Sequence, residues 1–513
     1  MIPLAHLPTL LLLIGYPIYW LELYAWPHST GHTSWIATVL FAIAALAVVC
    51  REKIVVRALD LPKWFLFAAA GLVGVIVCVA FAASLLPPHL PQEFDVINYH
   101  ITLPRQHLIA GSFAHLPWSS ADLFLLPIDF ALAPFWLATE LPNKWPQFCF
   151  MLGVAAVAAC LTARWSNGRM AASVVAVTAV FGLHSFGIQV GTGMLDIALC
   201  YLFFAAVDSF LSGNIRLAAV EFAFFLWSKP LMPALMVMVL IGMIVSYLVF
   251  RIARGSVVFP SYPWKKGAFY FLLASILVAG PFMAKSILVA GTPLYPVTRV
   301  VLSRDDCAPG HRERLSSVDQ VSCIWKEIKD GYGHGRSLLA FMGHFWLIAV
   351  PEKGVNNSFD YPLGLIFLIS LFPFLLISWQ RLKDRKMPVL AVFVVVYWAL
   401  WFFGSQQSRF LLIPLVGMFI FVAVELGKPS RIFLGCILLA LSMTAASVVR
   451  AHRPDFGRSA YGVLRAEDRA LLERARTVRA GEIVEVAAPD VAFAPFLVDV
   501  RSASNTFVIG REH

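Results

Sequence analysis

The sequence predicts an all-α, multi-pass membrane protein with about 13 spanning helices and a small α/β segment at its C-terminal end. Three observations predict it. Of the 513 residues, 59% are hydrophobic and only 14% charged, where soluble domains are roughly half apolar and a quarter charged. Apolar runs of bilayer length recur along the chain. The charged residues, 40 Lys and Arg with 30 Asp and Glu, gather in a few stretches between those runs. This composition excludes a soluble enzyme, a disordered chain and a coiled coil. The net charge of +10 suits the cytoplasmic loops of a membrane protein, where Lys and Arg set orientation, and no nucleic-acid-binding motif accompanies it.

In chain order, the predicted spans are 8–24, 33–50, 64–86, 146–163, 171–187, 194–212, 216–228, 231–250, 267–290, 361–380, 387–404, 409–427 and 431–449. The first lacks a basic leader and a small-residue cleavage site, so it reads as a retained helix rather than a signal peptide. The run 216–228 is short and meets Ser228-Lys229-Pro230, the pattern of a helix broken beside a cavity. Four basic loops fall on one side of this topology: Arg51 to Lys63, Arg164 with Arg169, Arg251 to Lys266, and Arg381 to Lys386. That side is expected to be cytoplasmic, which puts the N-terminus inside and the tail outside.

Segments 87–145 and 291–360 are then outer loops of a transmembrane domain covering 1–449. The apolar segment 123–140 would invert every later loop if it spanned, so an amphipathic or re-entrant helix on the outer face is expected there. Residues 450–513 change texture. The stretch 465–479 reads as an exposed amphipathic helix, 481–486 and 505–510 as strands, and 493–500 as a short helix, together a small periplasmic domain. Six of the eight cysteines lie in apolar runs as small hydrophobes. Cys307 and Cys323 share an outer loop in an oxidising compartment and are expected to form a disulfide.

The most informative stretch runs from Glu93 through Asp95, Tyr99, His100 and Arg105 to Gly111, directly after the third span. Three others follow in order: Gly193 to Leu199 around Asp196; Gly280-Pro281 to Lys285 with Gly291 to Pro296; and Trp401 followed by Gln406 to Pro414 around Arg409. The ordered set resembles bacterial family-39-like glycosyltransferases of the GT-C fold, related to protein O-mannosyltransferases and the lipid A aminoarabinose transferase. Phe282 stands where that family usually has Trp, and Ser286 where it has Asn. Two helices precede the one that usually comes first.

The resemblance implies transfer of a sugar from a polyprenyl-phosphate donor to a lipid, glycan or protein acceptor at the outer face of a bacterial inner membrane. Such chemistry needs a group to deprotonate the acceptor and cations to stabilise the departing phosphate. It implies Asp95 for the first task, as general base or through a bound divalent metal. It implies Arg409, Lys229, Lys285 and Arg105 for the second, with Tyr99, His100, Asp196, Asp129 and Tyr295 as substrate contacts. Each has a plainer reading. Asp95 and Asp196 also read as helix caps, Arg409 and Lys285 as interfacial anchors, and the outer-loop histidines as ordinary loop residues. Asp208 and Glu221 are expected to pair with Arg216 near the cytoplasmic side. The rival classes are a flippase or transporter of lipid-linked glycans, and a polymerase or ligase using a lipid-diphosphate donor. No P-loop, nucleophile elbow or zinc-protease motif is present.

Overall fold

The structure, a computed structural model, describes residues 3–26, 34–50, 60–90, 93, 95–116, 119–136, 141–230, 232–254, 264–298, 332–350, 359–384, 388–460, 462–464, 466, 468–470, 473, 484–487 and 506–509. Each predicted span coincides with a helix. These are α1 (Thr9–Ala25), α2 (Ser34–Val49), α3 (Lys63–Ser84), α6 (Trp145–Trp165), α7 (Met170–Gly182), α9 (Asp196–Leu211), α10 (Ile215–Trp227), α11 (Met232–Arg254), α12 (Trp264–Ala290), α14 (Leu365–Lys383), α15 (Val389–Phe403), α16 (Leu412–Glu425) and α17 (Arg431–His452). Among the described residues, seven helical stretches are long and apolar enough to cross a bilayer, and α1, α2, α7 and α15 are shorter apolar helices. The helices α9 and α10 carry buried Asp196, Asp208 and Glu221, which lower their hydropathy although both pack in the centre of the bundle.

Between these lie short helices that position the site: α4 (Thr102–Ala110), α5 (Pro127–Trp136), α8 (His184–Gln189) and α13 (Leu338–Leu347). The segment expected to re-enter is α5, which at about 15 Å covers only half a hydrocarbon core. All ten of its residues are buried, against α1 above all. Gly15 makes that contact close: a Cβ there would stand 1.9 Å from the Ala131 carbonyl oxygen. Tyr19, from the same face of α1, donates a hydrogen bond of 2.9 Å to the Pro104 carbonyl on α4. The segment between α12 and α14 contains α13, which the apolar pattern did not reveal. It leaves Leu338, Leu339, Met342 and Trp346 exposed while burying His344, whose ring accepts from Trp398 Nε1 at 2.6 Å.

The polar helix ends sort into two groups. At one, Arg164 meets Asp208, Arg169 caps the Val424 carbonyl, Arg381 pairs with Glu425, and Lys428 faces Asp60. These are the ends expected in the cytoplasm. The remaining ends, with α4, α5 and the outer-loop segments, gather the other cluster of charges. Exposed Ile252, Leu288 and Ile432 project from the bundle as side chains suited to lipid.

In the tail, α17 continues to His452, and beyond it Ala460 and Leu464 pack on the bundle. Two strands form where alternation was read, β1 (Val484–Ala487) and β2 (Thr506–Ile509), paired antiparallel with Val484 opposite Ile509. Cys307, Cys323 and 493–500 lie outside the described residues.

Candidate active site

The site begins with an irregular turn. Residues Val96–His100 form a π-helix, closed by the Ile101 N–H on the Val96 carbonyl at 3.1 Å. The wider turn crowds Asp95, Tyr99 and His100 together, as such bulges often do at functional positions. Gly193 admits this turn: a Cβ on it would stand 2.5 Å from Val96. Its N–H donates to buried Glu93 at 2.9 Å, and Glu93 also pairs with Lys144 at 3.1 Å. These bonds tie the chain just before Asp95 to the start of α9.

Arg409 lies in a short 3₁₀ turn, Ser408–Leu411, leading into α16. Its Nη1 donates to Asp95 Oδ2 at 3.3 Å, and its Nε faces Asp360 Oδ2 at 3.2 Å. One guanidinium thus bridges two carboxylates from opposite sides. Lys229, at the break between α10 and α11, forms an ion pair with Asp196 at the first position of α9. Both cations sit over the Phe410 ring, Lys229 Nζ at 4.4 Å and Arg409 at 5.5 Å from its centre. Ser228 accepts from the Ile128 N–H at 3.3 Å, which locks the helix break onto α5. The next residue, Asp129, reaches His100 at 3.0 Å, both fully buried.

The arrangement is therefore one buried group of four carboxylates, two strong cations and a histidine. Asp95 is the most open of these four carboxylates, with 28% of its side chain exposed against 4% for Asp196, 16% for Asp360 and 0% for Asp129. Burial, and after it the charge of Asp95, holds the Tyr99 hydroxyl well above its ordinary value. Burial likewise pushes the Asp360 carboxyl up to about 6, against the pull of Arg409.

Sequence reasoning placed Asp95, Tyr99, His100, Asp129, Asp196, Lys229 and Arg409 in one site, and the structure gathers all seven. Lys285 is different. It is buried against Asp122 at 2.8 Å and His107 at 3.3 Å, in a separate cluster that includes His115 on the other Asp122 oxygen. A buried ammonium needs a carboxylate, and Asp122 supplies it from the short turn Ser120–Leu123 before α5. The partners found for Lys285 thus come from this second cluster. Tyr295 is buried one ring away from the site, through Phe124 to Tyr99. Arg105 is half-buried on α4 beyond His100. The expected pairing of Asp208 and Glu221 with Arg216 is also corrected. Both pair with His6, at 3.1 and 2.8 Å, because the segment before α1 reaches α9 and α10, and Asp208 also meets Arg164. Arg216 instead lies over the Tyr270 ring.

Sequence reasoning missed Asp360. It sits alone before Tyr361-Pro362, and no spacing pattern marks it. Among the described residues, no three His, Cys, Asp or Glu side chains converge in a way that could hold a metal ion.

Neither family profiles nor curated proteins give a match to the chain. Among solved structures it is similar to ArnT from Cupriavidus metallidurans bound to undecaprenyl phosphate, at 13% identity and a TM-score of 0.47, and to the same protein in the apo state, at 12% and 0.45. Each likeness covers 78% of this chain and 66% of that one, so the chain spans just under two thirds of the length of the protein it matches.

Proposed function

We propose that the protein is an integral-membrane glycosyltransferase that moves a sugar from a polyprenyl-phosphate donor to an acceptor hydroxyl or amine at the outer face of a bacterial inner membrane. The observation that carries this reading is the convergence of Asp95, Asp196, Lys229 and Arg409, drawn from four separate helix ends, into one partly open charged group. A flippase needs no such fixed acid–cation centre beside an aqueous opening.

In this reading the lipid carrier approaches sideways between helices, and its phosphate meets Arg409 and Lys229. The acceptor comes from the aqueous side, where Asp95 is exposed. Asp95 takes the acceptor proton, the acceptor oxygen or nitrogen bonds to the anomeric carbon, and the bond from that carbon to the phosphate oxygen breaks. Polyprenyl phosphate leaves with one more negative charge, which the guanidinium and ammonium stabilise. Asp196 holds Lys229 in place, and Asp129 does the same for His100. No role is assigned to Lys285 in phosphate binding.

The test is to delete the gene, extract the lipids and ask which polyprenyl-phosphate sugar accumulates. Purified protein should then consume that species, while the Asp95→Asn variant should not. If no lipid-linked sugar builds up and none is consumed, the reading is wrong.

A further inference from the structure

Asp360 belongs to none of the motifs that single out the site, yet it occupies the side of Arg409 opposite Asp95. Its backbone is unusual: φ is +79°, in the left-handed region that non-glycine residues avoid. The conformation is imposed from both sides. Ser408 N donates to the Phe359 carbonyl at 2.7 Å, and Tyr361 N donates to Ser408 Oγ at 2.9 Å. Further on, Leu363 N and Gly364 N bond to the Ile348 and Ala349 carbonyls at 2.7 and 3.1 Å. The residue next to Arg409 thus clamps the chain on either side of Asp360. Its carboxylate is delivered to the guanidinium by the fold, at the cost of a strained residue.

The charge count gives this placement meaning. Setting aside Asp129, which pairs with His100, the carboxylates Asp95, Asp196 and Asp360, when ionised, outnumber Arg409 and Lys229 three to two before any anion arrives. A donor phosphate would add another negative charge to a buried site, where unbalanced charge is expensive. One carboxylate has to give up its charge or its place. Asp95 is the more exposed and is needed ionised; Asp196 is held by Lys229. That leaves Asp360.

We propose that Asp360 is a built-in stand-in for the donor phosphate: its carboxylate neutralises Arg409 while the site is empty and takes up a proton when the phosphodiester of a lipid carrier binds. This rests on the donor reading above. The groups facing Asp360 are Arg409, Asp196, Asp95 and Lys229, with Tyr361 beside it. Burial raises its carboxyl to about 6, and a further anion beside it favours the protonated form. The sign is fixed: an anion whose binding is coupled to proton uptake binds more tightly as pH falls.

The experiment uses the full-length protein in detergent and a polyprenyl phosphate methyl ester, a phosphodiester that keeps one charge from pH 5.5 to 8. Binding of this probe should be roughly tenfold tighter at pH 5.5 than at pH 8. In Asp360→Asn, which keeps the shape and removes the charge, affinity at pH 8 should rise to that of the unmodified protein at pH 5.5, and the pH dependence should disappear. Asp360→Glu should retain the dependence. Weaker binding in Asp360→Asn, or an unchanged pH dependence, overturns the proposal and leaves the donor reading standing. Absence of probe binding to the unmodified protein at both pH values overturns the donor reading and this proposal with it.

Discussion

Asp95 and Arg409 are 314 positions apart in sequence and 3.3 Å apart in the structure. The pair joins the segment after α3 to the start of α16, so the bundle must be closed before the site exists. The Asp95→Asn variant should fold, bind donor and fail to turn over, with a loss of about 10²–10⁴-fold in kcat. A transfer assay beside a thermal unfolding curve checks both halves of that statement.

Arg409 is expected to act through its planar fork. Arg409→Lys keeps a charge and loses the two-pronged geometry, so donor KM should rise while some turnover survives. Arg409→Ala should lose donor use almost entirely. Equal donor KM in the Arg and Lys forms would show that a point charge suffices.

Lys285 is expected to matter for stability and not for donor binding. Lys285→Met leaves Asp122 buried with only its histidine and backbone partners, a change that costs about 3–5 kcal/mol when a buried pair is broken. Unfolding temperature should fall, while donor KM of the folded fraction stays within about twofold. The double change Lys285→Met with Asp122→Asn should recover most of the loss. A raised KM with unchanged stability would return Lys285 to the phosphate site.

Gly15→Val tests the seat of α5. The new side chain would collide with a backbone oxygen, which cannot turn aside as a side chain can. Overpacking of this kind costs about 1–3 kcal/mol. Because α5 backs the site through Ile128 and Asp129, activity should fall together with unfolding temperature. Wild-type behaviour in both would mean that α1 and α5 are less closely packed than described.

The helices were legible because lipid imposes a length and a composition that few other settings demand. Even α9 and α10 were found, since their buried charges are sparse. By contrast, α13 was not, because 291–360 is polar as a whole and a ten-residue helix inside it lacks the length signal. The site was legible where residues fall into ordered motifs, which covers Asp95, Asp196 and Arg409. It was not legible where one residue acts alone. Asp360 has no patterned neighbours, and its role comes from hydrogen bonds to Ser408 that no linear spacing encodes. The pairing of Glu221 differs from the expectation for a related reason: sequence identifies a charge but not which of several distant partners the fold delivers to it.

The contact between the start of the chain and α10 sets a timetable for biogenesis. His6 and Thr9 find their carboxylate in Glu221, which is made more than 200 residues later. At about 5–20 residues per second, roughly 10–40 s of synthesis separate the two. During that interval α1 sits in the bilayer with a polar head whose final partner does not yet exist, and α5 also arrives only after α2 to α4. The early helices therefore have to be held near the insertion machinery, loosely enough to be rearranged. Slowing translation before residue 221 should increase the degradation of nascent chains, and speeding it should do the reverse.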